Sequence, residues 1–393
     1  MDKKIKVLRI INRFNLGGPT HNATYLTAYL SDDFETKLIG GKHEAHEGAS
    51  TFIPESHGVS FSIVEEMQRE INFFQDRRAY KKIRAIIRDY QPDIVHTHAS
   101  KAGFLGRLAA YKENVPVIIH TFHGHVFHSY FGKLKTALYK SLERFVGKRS
   151  DAIIAISEIQ KKELSEIHKI ASADKFKVIP LGFDLNKFQE NREEKRRLFR
   201  EKYQIKEETI CLGIIGRLTA IKNHELFFES VDLLLEKHKN IKAFIVGDGE
   251  LMAPLKKKTE EIEAKHGNKV FIFTSWIKNI EEVLPAFDIV CLCSLNEGTP
   301  VSLIEAQAAS VPVISSNVGG VANVVSNGET GLIIDQLEKK AYAAGLEKLI
   351  ESAEMREKMS QNGWNHVKNK FHYERLCRDV ENLYKEVLNK KMK

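Results

Sequence analysis

The sequence is poor in the residue types that build several classes of protein. Only four cysteines occur in 393 residues, Cys211, Cys291, Cys293 and Cys377, and no two form a Cys-x-x-Cys pair. This excludes a disulfide scaffold, argues against a cysteine-held metal, and fits a reducing cytoplasm. No apolar run approaches the roughly eighteen residues that a membrane-spanning helix needs. The N-terminus is basic and then apolar, but Arg9 interrupts the run and a glycine turn follows, so a first strand is expected there rather than a signal peptide. There is no Gly-x-Gly-x-x-Gly, no His-Glu-x-x-His, no Asp-x-Asp, no low-complexity segment and no short-period repeat. A dinucleotide fingerprint, a zinc-protease helix and a carboxylate pair set to hold a divalent ion are therefore all missing.

What is present is an ordinary globular composition, 42% apolar and 28% charged, with an uneven charge distribution. Residues 1–185 carry 28 Lys/Arg against 21 Asp/Glu and the remainder 32 against 31, so nearly all of the net +8 lies in the first half. That asymmetry points to an anionic partner for this half: a membrane surface, a nucleic acid or a phosphorylated substrate. No nucleic-acid recognition module and no interleaving of aromatic and basic residues accompanies it, so a nucleic acid is not expected.

Short β-branched runs alternate with amphipathic segments throughout. Strands are predicted at Lys6–Ile11, Thr36–Ile39, Asp93–His96, Val115–Thr121 and Asp151–Ile156, then at Thr209–Ile215, Lys242–Val246, Lys269–Phe273, Asp288–Leu292 and Pro312–Ser315. Runs this apolar suit parallel strands covered on both faces, and the alternation predicts doubly wound α/β sheets. The pattern restarts after a charged stretch at 191–206, which predicts two similar domains, 1–185 and 186–372. A final helix over 373–393 is left free to pack on either. The loop at 40–60, rich in Gly, His and Glu, is expected to be the least structured part.

In open parallel sheets, ligands bind beyond the carboxyl ends of the strands. Four constellations fall at such ends. Glu297-Gly298-Thr299-Pro300-Val301-Ser302-Leu-Ile-Glu305 follows a strand and opens a helix, with Pro300 placed to be the first helical residue. Amides at that helix start favour an anion, while carboxylates on either side can accept hydrogen bonds from ribose and hexose hydroxyls; together these suit a nucleotide sugar. Gly216-Arg217 and Lys222 follow another strand, where fork and point charge could clamp a diphosphate. Gly17-Gly18-Pro19 ends the first strand with room for a phosphate. Six of the sixteen histidines lie between residues 96 and 128, with His96, His98, His120 and His123 ending two strands. Such histidines can hydrogen-bond sugar hydroxyls or exchange a proton with one, hold a metal, or simply serve the structure.

In this order, the segments resemble the retaining glycosyltransferases of family 4, over nearly the whole chain. Glu297 to Glu305, the Val318-Gly-Gly-Val321 turn, Gly216-Arg217 with Lys222, and Val246-Gly-Asp-Gly-Glu250 are similar to the donor-binding half of that family. Gly17-Gly18-Pro19 resembles its N-terminal phosphate loop. The segments His98-Ala-Ser-Lys101 to Arg107 and Thr121-Phe-His123-Gly-His125 resemble a bacterial branch that builds capsule, exopolysaccharide and O-antigen chains. Asn323 departs from the pattern, standing where the family often has glutamate.

The resemblance implies a GT-B fold of two Rossmann-like domains facing across a cleft. It implies transfer of a hexose or N-acetylhexosamine from a nucleotide-sugar donor, UDP-linked before GDP-linked, to a saccharide or polyprenyl-linked acceptor. By the same resemblance Arg217 and Lys222 neutralise the diphosphate and Glu305 holds the ribose. Glu297 and the amides of Gly298, Thr299, Pro300 and Val301 hold hexose and phosphate; Pro300, having no N–H, contributes only its place in that segment. Gly18 and Gly216 lie close to the donor, His123 contacts the hexose near the reaction centre, and His98, Lys101 and His125 lie on the acceptor side. No cofactor and no metal is expected. The competing readings are a nucleotide-sugar epimerase of the same architecture and a non-catalytic nucleotide-sugar-binding protein.

Two basic segments, Arg77–Arg88 with Ile83, Ile86 and Ile87, and 130–149 with Lys133, Lys135 and Lys140, carry apolar residues at helical spacing. They predict reversible contact of the N-terminal domain with an anionic membrane. The opposing expectation is that the stripe Leu134, Leu138, Leu142 and Phe145 packs on the sheet.

Overall fold

A computed structural model describes residues 3–15, 18–43, 50–68, 72–124 and 133–392, with backbone alone at 133–135 and 392. The chain divides into two compact units, Met1–Phe183 together with Phe371–Lys393, and Asp184–Lys370.

In the first unit seven strands form one parallel sheet: β1 (Ile5–Arg13), β2 (Phe34–Gly41), β3 (Phe61–Ile63), β4 (Ile94–His98), β5 (Val117–Phe122), β6 (Ala152–Ala155) and β7 (Phe176–Val178), in the order β3-β2-β1-β4-β5-β6-β7. Alternation along the strands feeds two cores. Leu8, Ile10, Ile39, Val95 and Ile118 meet Ala79, Ile83 and Ile87 of the helix Phe73–Tyr90 and Ala102, Leu105 and Ala109 of the helix Ser100–Lys112. On the opposite face Val7, Ile94, Val117, Ile119 and Ile154 meet Leu26 of the helix Gly18–Ala28 and Leu376, Val380, Leu383, Tyr384 and Val387 of the C-terminal helix Tyr373–Met392. That last helix therefore belongs to the first unit. Each such buried aliphatic or aromatic side chain contributes about 1.5–3 kcal/mol, and this helix buries a whole stripe of them.

Sequence and structure differ at several places. The strand β3 lies just beyond the segment expected to be least structured, and the helix Phe52–Ser56 lies within it. The segment Arg77–Arg88 does not present an apolar stripe to an interface: Ala79, Ile83 and Ile87 are buried in the core, because the face opposite the arginines packs on the sheet. In the helix Lys133–Gly147 the reverse holds. Leu138 is 58% exposed and Phe145 44%, while Glu143 and Val146 are buried. Of the stripe that the opposing expectation placed on the sheet, Leu138 and Phe145 thus face outward and Leu142 is half-buried; the side chains of Lys133, Leu134 and Lys135 lie outside the described residues.

The second unit holds six parallel strands, β8 (Ile210–Ile215), β9 (Ile241–Val246), β10 (Phe271–Ser275), β11 (Ile289–Leu292), β12 (Val313–Ser316) and β13 (Gly331–Ile334), ordered β10-β9-β8-β11-β12-β13. Its core joins Leu212, Ile214, Ala243, Ile245, Cys291 and Ile314 to Phe227, Phe228 and Val231 of the helix His224–Leu234 and to Tyr342, Leu346 and Leu349 of the helix Lys339–Glu351. In both sheets the order reverses beside the first strand, between β1 and β4 and between β8 and β11. The loops that leave those strands on the carboxyl side open a crevice there. Among the described residues no helix is long and apolar enough to cross a membrane.

Candidate active site

The loops after β8 and β11 flank the reversal in the second unit and carry the basic and acidic residues singled out above. The β8 loop is held by its neighbour: Gly216 N–H donates to Val246 O at 3.0 Å, Leu218 N–H to Asp248 O at 2.9 Å, and Leu251 N–H to Leu218 O at 3.1 Å. Gly247, at φ +149°, lies where a Cβ would fall 1.9 Å from Gly216 O, so the Gly-Asp-Gly turn serves to let the β8 and β9 loops touch. A single turn of 3-10 helix, Ala220–Lys222, follows, and Ile221 O accepts from Leu295 N–H at 2.8 Å, tying the β8 loop to the β11 loop.

This tie brings Lys222 to Glu297. Lys222 Nζ lies 2.6 Å from Glu297 Oε1, and the same oxygen accepts from Ser294 Oγ at 2.6 Å. Both side chains are largely buried, Lys222 24% and Glu297 11% exposed. The pair is preorganised and charge-compensated, leaving two ammonium protons of Lys222 for another acceptor. Arg217 is exposed beside it with no ion pair among the described residues. The Val318–Val321 turn supports the acidic side: Gly320 N–H donates to Glu297 O at 3.0 Å, and a Cβ on Gly320 would fall 1.7 Å from Gly298 O. Asn323, the departure from the family pattern, ends the short turn Val321–Asn323 that follows these glycines.

The helix at this edge is Val301–Ala308. Pro300 precedes it as the capping residue at φ −73°, ψ 93°, and is not the first helical residue as the sequence suggested. Its carbonyl accepts from Leu303 N–H at 3.1 Å, which places Val301 and Ser302 in the first turn, where amides have no intrahelical partner. Leu303, Ile304, Ala306 and Ala308 anchor the helix in the core. Glu305 is half-buried on it, and burial pushes its carboxyl up to about 7; nearby Glu281 adds to the rise and Lys187 opposes it.

In the first unit Gly18 opens a helix directly beyond β1, and a Cβ there would meet nothing within 4 Å. Gly17 and His125 lie outside the described residues. Four histidines gather where β4 and β5 end, His96, His98 and His120 buried and His123 half-buried. His98 Nδ1 is 2.9 Å from His123 Nε2, His120 Nδ1 is 2.8 Å from Thr97 Oγ1, and His96 lies between Tyr384 OH at 2.6 Å and Thr121 Oγ1 at 2.7 Å. Burial lowers the basicity of all four, that of His123 to about 4, so each is neutral at pH 7. In the neutral His98–His123 pair one proton is shared, so the outer nitrogens, His98 Nε2 and His123 Nδ1, are one donor and one acceptor whichever tautomers are present. Both are buried without a partner among the described residues. A sugar hydroxyl, which donates and accepts, can complement either of these nitrogens whichever role it takes.

Lys101 does not stand ready for an acceptor: its Nζ is 2.6 Å from Asp76 Oδ1, and both side chains are largely buried. Arg107 is fully buried against Glu143 at 2.5 Å, joining two helices. The one group of three His and acidic residues with metal-compatible spacing among the described residues is His238, Glu347 and Glu351, in the second unit, where Lys237 already pairs with Glu347. Sequence reasoning missed Ser294 and Tyr384, and it gave no role to Thr121 within the Thr121-to-His125 segment. Arg9, the charge inside an apolar strand, was the visible signal for Tyr384: it is fully buried and donates to the Tyr384 hydroxyl at 3.0 Å.

Two doubly wound sheets, with basic and acidic residues gathered at the second sheet's reversal, form a frame suited to binding an anionic nucleotide ligand. Residues 17–187 match the model of Glycosyltransferase Family 4, and residues 195–366 that of the glycosyl transferases group 1. The chain is 31% identical, over 83% of its length and 84% of the relative's, to the UDP-Gal:alpha-D-GlcNAc-diphosphoundecaprenol alpha-1,3-galactosyltransferase of Escherichia coli. It is 28% identical, over 82% and 84%, to the capsular polysaccharide biosynthesis glycosyltransferase CapM of Staphylococcus aureus. Among solved structures it is similar to Anabaena HepE in complex with UDP, with a TM-score of 0.79 at 17% identity over 97% of this chain and all of that one. The chain belongs to the family 4 glycosyltransferases, and its fold is GT-B.

Proposed function

We propose that this glycosyltransferase moves a hexose or N-acetylhexosamine from a UDP-sugar to a saccharide carried on a polyprenyl diphosphate, with retention at the anomeric carbon and without a divalent metal. The observation that carries the reading is the meeting of Lys222 with Glu297, beside Arg217 and the Val301 helix start, at the reversal between β8 and β11. Arg217 and the spare protons of Lys222 neutralise the diphosphate, amides from Gly298 to Val301 receive phosphate and hexose oxygens, and Glu297 accepts from hexose hydroxyls. Glu305 accepts from the ribose. His123, with His98 behind it, meets the hexose.

In the reaction the bond from the anomeric carbon to the β-phosphate oxygen breaks while the acceptor oxygen bonds to that carbon from the same face. The acceptor proton passes to the departing phosphate oxygen, so UDP leaves with its charge partly neutralised. Fixed cations and amides stabilise that charge without reorganising. Uridine is favoured because the E. coli relative is named for UDP-Gal and HepE holds UDP. A lipid-linked acceptor is favoured because the same relative is named for a diphosphoundecaprenol substrate. Docking on an anionic leaflet would give access to such an acceptor, and the outward Leu138 and Phe145 with Lys140, Arg144 and Lys148 support it. The protein would then work at the cytoplasmic face.

The test is UDP or GDP release from UDP-galactose, UDP-GlcNAc, UDP-glucose and GDP-mannose, with and without GlcNAc-diphosphoundecaprenol, in EDTA. Acceptor-dependent UDP release is expected. An epimerase would interconvert the sugar without acceptor, and a binding protein would release nothing; either result overturns the proposal.

A further inference from the structure

Behind the His98–His123 pair runs a row of buried polar groups that donor binding leaves unexplained. Arg9, fully buried in the middle of β1, donates through Nη2 to Tyr384 OH at 3.0 Å and through Nη1 to Thr27 Oγ1 at 3.2 Å. Tyr384, fully buried on the C-terminal helix, has its hydroxyl 2.6 Å from His96 Nδ1. His96 Nε2 reaches Thr121 Oγ1 at 2.7 Å. The His96 ring stacks on His98, with centroids 4.4 Å apart and planes 30° apart, and His98 in turn holds His123.

The row accommodates one continuous run of donors. A guanidinium only donates, so the Tyr384 oxygen accepts from Arg9, and in this run it gives its own proton to His96 Nδ1. A neutral His96 must then carry its proton on Nε2 and donate it to Thr121. Both ring nitrogens are thereby engaged, which fixes the ring plane against which His98 stacks. Burying a guanidinium inside a sheet is costly, and Arg9 offsets that cost through Nη1 and Nη2, its Nε having no partner among the described residues, so these contacts are unlike ordinary core filling.

We propose that Tyr384 is a positioning residue for the sugar-facing histidine: through Arg9 and His96 it locks the plane of His98 and so the placement of His123. The inference rests on the reading that His123 meets the donor hexose. It makes the C-terminal helix, remote in sequence, a working part of the N-terminal half of the site. Positioning groups matter because small displacements of a reacting constellation are expensive in rate.

The test uses the full chain and four variants. Tyr384→Phe removes one oxygen and leaves the ring; Thr121→Val removes the second anchor of His96. Both are expected to lower kcat about tenfold or more with KM for the UDP-sugar and the affinity for UDP alone within twofold. In ¹⁵N-histidine spectra wild-type His96 is expected as the Nε2–H tautomer, and Tyr384→Phe is expected to lose that single state. Val387→Ala, on the same helix and in the same core, is expected to lower Tm without changing kcat measured well below it. Equal loss of kcat in Val387→Ala would reduce the role to packing and overturn the proposal, as would an Nδ1–H or charged His96. His123→Ala separates the two readings. If it is inactive while Tyr384→Phe and Thr121→Val keep wild-type kcat, the positioning role fails alone; if it keeps full turnover, the reading of His123 fails first.

Discussion

Replacing Glu305 with glutamine removes a carboxyl that the fold holds in an unfavourable place. Burial raises it from an ordinary value near 4.5 to about 7. The sign of the stability effect follows from proton counts. Between those values the native state binds more protons than the unfolded chain, so stability falls as pH rises. The cost is absent below about pH 4.5, accrues up to about 7 and is fully present above it. A shift of this size corresponds to at most about 3–4 kcal/mol, reduced by the group's partial exposure. Glu305→Gln carries no such cost and should therefore raise Tm at pH 8, by roughly 2–4 °C for each kcal/mol recovered, while the difference closes near pH 5.

The same strain has a use. Ribose hydroxyls donating to the carboxylate favour its charged form, so binding draws the carboxyl back toward its ordinary value and expels a proton. Apparent affinity for a UDP-sugar should then be about tenfold weaker at pH 6 than at pH 8. Calorimetry in two buffers of different ionisation enthalpy should register close to one proton released at pH 6 and none at pH 8. Glutamine should bind more weakly at pH 8 and release no proton at either. Identical proton release in wild type and Glu305→Gln, or no gain of Tm in the variant at pH 8, would refute the reasoning.

The strands of both sheets were legible because parallel strands buried on both faces leave unbroken apolar runs. Ten such runs stand out, and β1, β2, β4, β5 and β6 in the first unit and β8 to β12 in the second coincide with them within a few residues. Of the four edge strands only β10 was legible; β3, β7 and β13 were not. β3 is the three residues Phe61–Ile63, and β13 is half-exposed Gly331–Ile334; neither has the length or the continuous burial that marks a strand in sequence. The reversal of strand order is likewise a property of topology, and it is what sets Arg217 and Lys222 beside Glu297 and Val301.

Within the site, charge at strand ends was readable but its pairing was not. Lys222 and Glu297 stand 75 residues apart, and the pairing of β8 with β11 and the hydrogen bond from Leu295 to Ile221 bring them together. Lys101 looked like a cation waiting for a ligand, yet Asp76 on a neighbouring helix takes it. Pro300 looked like a first helical residue because its ring suits that place; its extended ψ puts it one step earlier. The row behind His123 was the least legible, since His96 and Tyr384 are 288 residues apart. Only Arg9 hinted at it, because a charge in an apolar strand must find a partner somewhere.

Three more outcomes follow from these contacts. Lys222→Ala strips the partner from a largely buried Glu297 and a cation from the diphosphate, and should weaken UDP binding by about 1.5–3 kcal/mol; calorimetry giving wild-type affinity would remove Lys222 from the donor site. Gly320→Ala places a methyl 1.7 Å from Gly298 O, so the turn must shift and Tm should fall, with a cost of at least about 2 kcal/mol; a wild-type Tm and wild-type UDP affinity would show that the turn does not set the Glu297 loop. The last concerns the helix Lys133–Gly147. Leu138 and Phe145 are exposed while Glu143 and Val146 face inward, so the outward apolar side chains cannot be core. Arg149 lies 3.7 Å over the Phe145 ring and Arg144 donates to His168 O, which holds both cations at the helix's end. Seating such a helix on an anionic leaflet gains about 1 kcal/mol per basic residue near the surface and about 25 cal/mol per Å² of apolar area removed from water. Leu138→Asp with Phe145→Asp adds two charges on that face and leaves the buried side untouched. Co-sedimentation with phosphatidylglycerol vesicles at low salt should fall at least about tenfold in the double variant, with Tm and UDP affinity unchanged. Wild type that ignores such vesicles, or a double variant that binds them equally, would end the idea that this helix meets the membrane.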